Sequence, residues 1–185
     1  DTDDAKEMIA EAEMMNPGPW VSHSYAAAEN AKCIAKKCDG IDPECAYVMG
    51  LLHDIGRREG FSYLRHVVDG YTYLADQGYD DAARICLTHS FQIPDIHTYF
   101  GKHDCTTEQA EFLEHYLKRV EYDDYDRLIQ LCDAISLPQG AVVMEKRLVD
   151  VAMRYGLPDF TLTKWQANFD LKEYFDRRTG CNIYT

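Results

Sequence analysis

The sequence has 185 residues, of which 19 are Lys or Arg and 32 are Asp or Glu, so its formal net charge is −13 at pH 7. A surface this acidic repels phosphate backbones and anionic lipids, so we expect neither a nucleic-acid polymer nor a membrane among its partners. Hydrophobic residues make up 46% of the chain, which excludes a largely disordered protein and favours one folded domain.

The composition also bears on the compartment. No run of about 18 apolar residues occurs, and residues 1–15 lack the basic and then apolar order of a secretory signal. The seven cysteines are an odd number without a Cys-x-x-Cys pair, which favours reduced thiols over disulfides or a zinc ribbon. We therefore expect a soluble, cytoplasmic protein. The sequence does not specify an oligomeric state, and the native chain could begin before Asp1.

Apolar residues recur at helical spacing along most of the chain, and no stretch alternates as a strand would, so the pattern predicts an all-α fold. In chain order the predicted helices cover about 3–15, 20–39, 43–54, 62–77, 81–89, 106–120, 123–135, 142–155 and 163–177. Prolines, glycines and capping residues separate them. Residues 91–105 lack helical spacing, and we expect an entrance or lid loop there.

We interpret residues 1–185 as a single-domain helical bundle. Its core is expected at 20–155, with 1–16 and 158–185 as flanking helical segments. The sequence shows neither an internal repeat nor a low-complexity linker that would divide it further.

Several polar residues lie on or beside the apolar stripe of their own predicted helix. His23 projects with Ala27 and Ala31, and His89 projects with Ile85. Taken alone, each such residue could be a core residue hydrogen-bonded to one neighbour. Together they supply four imidazoles and two carboxylates, which is the ligand set of a divalent metal site. The candidates are His23, His53, Asp54, His66, His89 and Asp133.

Three short segments carry a family resemblance: Trp-Val-Ser-His-Ser around His23, Gly-Leu-Leu-His-Asp-Ile-Gly around His53 and Asp54, and Leu-Cys-Asp-Ala-Ile-Ser around Asp133. They resemble the H…HD…D signature of the HD-domain metal-dependent phosphohydrolases, and the resemblance spans residues 20–155. It implies an all-helical HD-type bundle in which these four residues bind a divalent cation.

His66 and His89 refine the resemblance. Their order in the chain is similar to that of the branch with two metals, which includes symmetrical dinucleoside tetraphosphate hydrolases. The resemblance implies that Asp54 bridges two ions and that His66 and His89 complete the second site. The alternative is one metal, with both histidines binding substrate phosphate or orienting water. An imidazole-rich shell favours a transition metal (Fe, Mn, Co, Ni or Zn) over magnesium.

The implied activity is hydrolysis of a phosphomonoester, phosphodiester or phosphoanhydride bond in a small phosphorylated substrate, a nucleotide or dinucleotide, with His53 and Asp54 at the catalytic centre. The alternative is a non-catalytic metal- or nucleotide-binding sensor or scaffold.

Arg57 and Arg58 directly follow the His-Asp pair and are the candidates for binding substrate. Arginine can grip phosphate with two N–H groups, although a solvated helix end that complements the helix dipole is the competing interpretation. Lys146 and Arg147 could reach substrate, but we expect them on a solvated helix face. Ser90, Lys102 and His103 are weaker candidates for a phosphate-binding or lid role, and we expect a plain surface role for each.

Overall fold

The computed structural model describes residues 1–184, and 66% of the chain is helical. The all-α prediction is confirmed. The helices are α1 Thr2–Met15, α2 Pro19–Ala35, α3 Pro43–Leu52, α4 Arg65–Ala75, α5 Asp80–Thr88, α6 Thr107–Leu117, α7 Asp124–Ala134, α8 Met144–Tyr155 and α9 Thr161–Thr179. Two short 3₁₀ helices cover Ile55–Glu59 and Ile96–Thr98. None of the described helices combines the length and apolarity that crossing a bilayer requires.

Side-chain caps set several helix boundaries. The Asp42 carboxylate accepts the N–H of Cys45 at 2.8 Å and begins α3. Thr106 and Gln109 form the predicted reciprocal capping box at the start of α6. Each cap satisfies backbone N–H groups that have no partner within the helix.

Several helices are shorter than the sequence predicts, and α2 and α4 show why. α2 ends at Ala35 because Cys38 N–H donates to the Ala35 carbonyl, a three-residue spacing that closes a turn. α4 begins at Arg65, not at residue 62, because the Asp104 carboxylate accepts the N–H groups of Tyr63 and Arg65. The backbone at the start of α4 is therefore hydrogen-bonded to Asp104, in the loop before α6.

A small hairpin corrects the expectation of no strand. β1, Ser136–Leu137, pairs antiparallel with β2, Gly140–Ala141. Strands of two residues are too short to show an alternating pattern in the sequence.

Glycines bring the helices around the candidate residues unusually close together. A Cβ on Gly50 of α3 would lie 2.8 Å from the Cα of Ala28 on α2. A Cβ on Gly56 would lie 2.0 Å from the carbonyl oxygen of His66 and 2.4 Å from the nitrogen of Gly70, both in α4. These contacts hold α2, α3, the first 3₁₀ helix and α4 around one point.

Candidate metal centre

Six side chains converge from α2, α4 and α7 and from the C-terminal ends of α3 and α5. His53, His66 and His89 are each at most 2% exposed. The converging residues are His23 on α2, His53 and Asp54 after α3, His66 on α4, His89 after α5 and Asp133 on α7. The structure thus brings together every metal ligand that the sequence suggested.

Backbone carbonyls orient three of the imidazoles. His53 Nδ1 lies 2.7 Å from the Gly50 carbonyl, and His89 Nδ1 lies 3.0 Å from the Cys86 carbonyl. His66 Nδ1 contacts the Tyr63 carbonyl in the same way. A carbonyl can only accept, so each neutral ring carries its proton on Nδ1 and leaves the Nε2 lone pair free. This is the arrangement in which histidine binds metals through Nε2.

Asp54 lies at the centre of the cluster. Its Oδ1 is 3.1 Å from His66 Nε2 and 3.7 Å from His89 Nε2, and its Oδ2 is 3.8 Å from His53 Nε2. On the side of Asp133, His23 Nε2 lies 2.9 Å from Asp133 Oδ1.

The donor atoms form two triads that share Asp54. In each triad one ligand atom per residue lies within 4.8 Å of the others; the triads are His23, His53 and Asp54, and Asp54, His66 and His89. Among the described residues, His53 Nε2 and Asp54 Oδ1 are buried and have no hydrogen-bond partner. Such buried polar atoms are costly unless a ligand satisfies them. Imidazole nitrogens and carboxylate oxygens fit a divalent metal.

The protonation states suit metal binding. Burial lowers the pKa of His53, and burial together with His53 lowers that of His89 to about 3, so both rings are neutral near pH 7. Burial alone raises the pKa of Asp54, but the Arg57 guanidinium lies 2.8 Å from the carboxylate and the pKa stays well below its usual range. Neutral imidazole and ionised carboxylate are the forms that bind metal.

A model of the HD domain family matches residues 20–137, which is more than half of the chain. This chain belongs to the HD domain family. Members of the family bind divalent metals and are generally hydrolases, and the buried His/Asp cluster of this chain agrees with that. Comparisons with curated proteins and with solved structures found no match.

The candidate metal centre of this HD domain borders a cavity of about 660 Å³, which we call the metal cavity. Five of the six candidate ligands line this metal cavity, and His53 lies behind them. Arg57 also lines it, with Nε 2.8 Å from Asp54 Oδ2. Arg58 does not: its guanidinium lies 3.9 Å from the centroid of the Tyr73 ring, and its Nη2 lies 2.9 Å from the sulfur of Met15. Of the two arginines expected to bind substrate, only Arg57 reaches the cavity.

The sequence-based candidates leave out three cations of the cavity wall, namely Arg147, Arg154 and Lys164. Arg147 on α8, expected on a solvated face, lines the cavity with Nη2 3.6 Å from Asp133 Oδ1. Lys164 on α9 is not among the candidates, yet it is 6% exposed and lines the same cavity. Both helices lie beyond the segment that the family model matches. Lys164 could have been found from the sequence, because it shares one helix face with the apolar Phe175. A charged residue on an apolar helix face indicates a buried charge.

Lys164 is held by two backbone carbonyls. Its Nζ donates to the Ser90 carbonyl at 2.8 Å and to the Thr98 carbonyl at 2.7 Å. Burial lowers its pKa to about 7, far below the usual value of a lysine. Lys164 thus joins α9 to the segment between α5 and α6, the segment in which the sequence predicts an entrance loop.

Proposed function

We propose that this HD domain hydrolyses a phosphate ester or anhydride bond of a small phosphorylated metabolite, a nucleotide or dinucleotide. The observation that carries the proposal is the position of Asp54, which is shared between two buried triads of metal-ligand atoms beside a cavity. The cavity of about 660 Å³ lies within the size range of small-molecule sites.

The proposed ligands divide between two ions. His23, His53 and Asp133 would hold one, His66 and His89 the other, and Asp54 would serve both. Fe, Mn, Co, Ni or Zn suits this imidazole-rich set better than magnesium does. A divalent cation bound there supplies Lewis acidity toward water and phosphoryl oxygens.

The chain itself binds and orients the substrate. Arg57 gives one N–H group to Asp54 and has further guanidinium donors beside the cavity, which suit the non-reacting oxygens of a phosphate. Arg147 adds positive charge from α8, and Lys164 adds it from α9 when protonated, below about pH 7. These cations offset the net charge of −13 locally, so an acidic chain can accept an anionic small molecule.

Bulk charge supports the same substrate class. The acidic surface disfavours a nucleic-acid polymer and an anionic membrane, and the proposed partner is therefore a small phosphorylated molecule. The cytoplasmic location stays a prediction. A non-catalytic sensor is the alternative function, but the complete set of ligands supports catalysis.

Metal analysis combined with phosphate-release assays across nucleotides and dinucleotides tests the proposal. The unaltered chain is expected to bind two ions and to turn over at least one substrate. His89→Gln should retain one ion, and Asp54→Ala should lose both ions and all turnover. His115→Gln is the matched control, because His115 is exposed on α6 and lies outside the metal cavity.

Two results would contradict parts of the proposal. Full turnover by Asp54→Ala would exclude the proposed catalytic centre. A metal content that His89→Gln leaves unchanged would exclude the second ion and support the arrangement with one metal.

A further inference from the structure

A second cavity of about 530 Å³ adjoins the metal cavity. The two cavities share five wall residues, among them Tyr99 and Arg154, so a ligand in one can extend into the other. The metal ligands do not line the second cavity. A substrate whose phosphate reaches Asp54 therefore has room for a further chemical group next to it.

Aromatic rings form much of the wall of this second cavity. Phe100 and Phe160 lie with their ring centroids 5.0 Å apart, and Tyr155 is 40% exposed at the end of α8. Two cations accompany the rings: Lys102 Nζ lies 5.4 Å from the centroid of the Tyr63 ring, and the Arg154 guanidinium lies 5.3 Å from that of Tyr155. Flat aromatic faces stack on nucleobases, and neighbouring cations bind phosphates.

The charge of this cavity departs from that of the whole chain. The net charge is −13, yet no Asp or Glu of the described residues lines the second cavity, whereas Lys102, Arg154 and two histidines do. The neighbouring Asp104 is engaged elsewhere, because its carboxylate accepts the N–H groups of Tyr63 and Arg65 at 2.7 and 2.8 Å. Arg154 pairs with Asp150, its Nη2 lying 2.7 Å from Asp150 Oδ2, and has further guanidinium N–H groups for a ligand. Together with Lys102, these groups favour an anionic ligand.

Hydrogen bonds fix the loop that forms the cavity. Leu64 N–H donates to the Lys102 carbonyl at 3.3 Å, and Lys164 Nζ donates to the Thr98 carbonyl at 2.7 Å. Together with the Asp104 contacts, these bonds tie the loop to α4 and to α9. The cavity is therefore formed before a ligand arrives, which reduces the ordering cost of binding.

We propose that the second cavity binds the nucleobase of the substrate, with the adjoining phosphates passing Lys102 and Arg154 toward the metal centre. This inference rests on the proposed function, since it assigns a nucleotide to the same site. The rings supply stacking surface that tolerates different bases, and the cations supply contacts to phosphate.

Binding measurements on the metal-free chain test the inference without turnover. The probes are the four common ribonucleoside triphosphates and inorganic triphosphate, titrated by calorimetry. At least one nucleotide should bind more tightly than inorganic triphosphate. Tyr155→Leu should weaken that nucleotide about tenfold and leave inorganic triphosphate unchanged, and Tyr155→Phe, which keeps the ring, should restore the affinity.

Two lysine variants separate phosphate contacts from general charge effects. Lys102→Met should weaken the nucleotide and inorganic triphosphate alike, and Lys118→Met, at an exposed lysine outside both cavities, should weaken neither. The inference is overturned if no nucleotide binds more tightly than inorganic triphosphate, or if Tyr155→Leu weakens both probes equally. Absence of hydrolysis would contradict only the proposed function, because the titrations involve neither metal nor turnover.

Discussion

Asp54 and Lys164 are two buried ionisable residues whose charged forms are stabilised to different extents. The Asp54 carboxylate stays ionised because the Arg57 guanidinium lies 2.8 Å from it. Lys164 has no such carboxylate contact; its Nζ donates only to two backbone carbonyls among the described residues, and burial dominates its pKa. The Arg57 guanidinium therefore stabilises the charge of Asp54, whereas burial destabilises the charge of Lys164.

The lowered pKa of Lys164 predicts a pH dependence of stability. The folded chain releases this proton near pH 7, whereas the unfolded chain keeps it until its ordinary pKa of 10.5. Between these values the unfolded state binds more protons, so this group makes the folded state more stable as the pH rises from about 7 to 10. The neutral amine still has two N–H groups for the carbonyls of Ser90 and Thr98.

Lys164→Met removes this group and isolates its contribution. Relative to the variant, the unaltered chain should gain several kcal/mol of unfolding free energy between about pH 7 and 10, at about 1.4 kcal/mol per pKa unit. Denaturant unfolding at a series of pH values measures the difference. Lys172→Met, at an ion-paired lysine on the same helix, is the control that should track the unaltered chain. Parallel pH profiles for Lys164→Met and the unaltered chain would show that Lys164 is not desolvated.

At the scale of elements, helix ends explain the orientation of the ligands. His53 and His89 are the C-caps of α3 and α5, where the last carbonyls lack partners within the helix. Each ring donates Nδ1–H to the carbonyl three residues before it, Gly50 or Cys86, and thereby directs Nε2 to the centre. Local helix geometry thus orients part of the candidate metal site before tertiary packing brings the helices together.

Substitution of Gly56 tests whether the close contact between the first 3₁₀ helix and α4 positions the candidate ligands. A Cβ there would meet backbone atoms of His66 and Gly70, which cannot rotate away as a side chain can. Gly56→Ala should therefore separate the elements that carry Asp54 and His66, lower the unfolding free energy by about 3 kcal/mol and weaken metal binding. Denaturant unfolding and metal titration measure the two effects.

Gly78→Ala is the matched control for this substitution. Gly78 has φ +79°, and no atom lies within 4 Å of the place that a Cβ would occupy, so alanine there costs only backbone strain of about 1 kcal/mol. Metal affinity should be unchanged in this variant. Equal losses of stability and metal affinity in both variants would mean that the tight contact at Gly56 is not what positions the ligands.

At the scale of the molecule, the fold class and the grouping of the candidate ligands can be predicted from the sequence, but not all of the cavity can. Helical spacing places His23 and His89 on inward faces, and the family resemblance groups them with Asp133. Arg58 points away from the cavity because consecutive side chains on a 3₁₀ helix point about 120° apart, so Arg57 and Arg58 cannot share one direction.

The cations of α8 and α9 depend on tertiary packing. Arg147 and Lys164 reach the cavity because α8 and α9 both pack on α7, where Met144 and Phe175 join Leu128 in one buried cluster. Nothing in the local pattern of α8 specifies which of its faces meets Asp133. The second cavity likewise combines α8, the start of α9 and the loop before α6, and so has no continuous signature in the sequence.

The buried cluster also predicts that metal stabilises the whole molecule. A ligand that binds only the folded state adds about 2.7 kcal/mol of unfolding free energy at 100 times its dissociation constant. For a domain of this size that corresponds to a rise in melting temperature of roughly 5–10 °C. Thermal melts with Mn²⁺ and with a chelator should show this difference, and Mg²⁺ should give a smaller rise because it prefers oxygen ligands.

The acidic surface makes a control essential, since 32 carboxylate side chains can attract cations without a specific site. Asp54→Ala removes one of these charges and the shared ligand of both triads, and leaves the surface carboxylates in place. The rise in melting temperature with Mn²⁺ should disappear in this variant. It should persist in Asp81→Ala, which removes an exposed carboxylate at the start of α5. If Asp54→Ala kept the full rise, the stabilisation would come from the surface, and the buried cluster would not be the metal site.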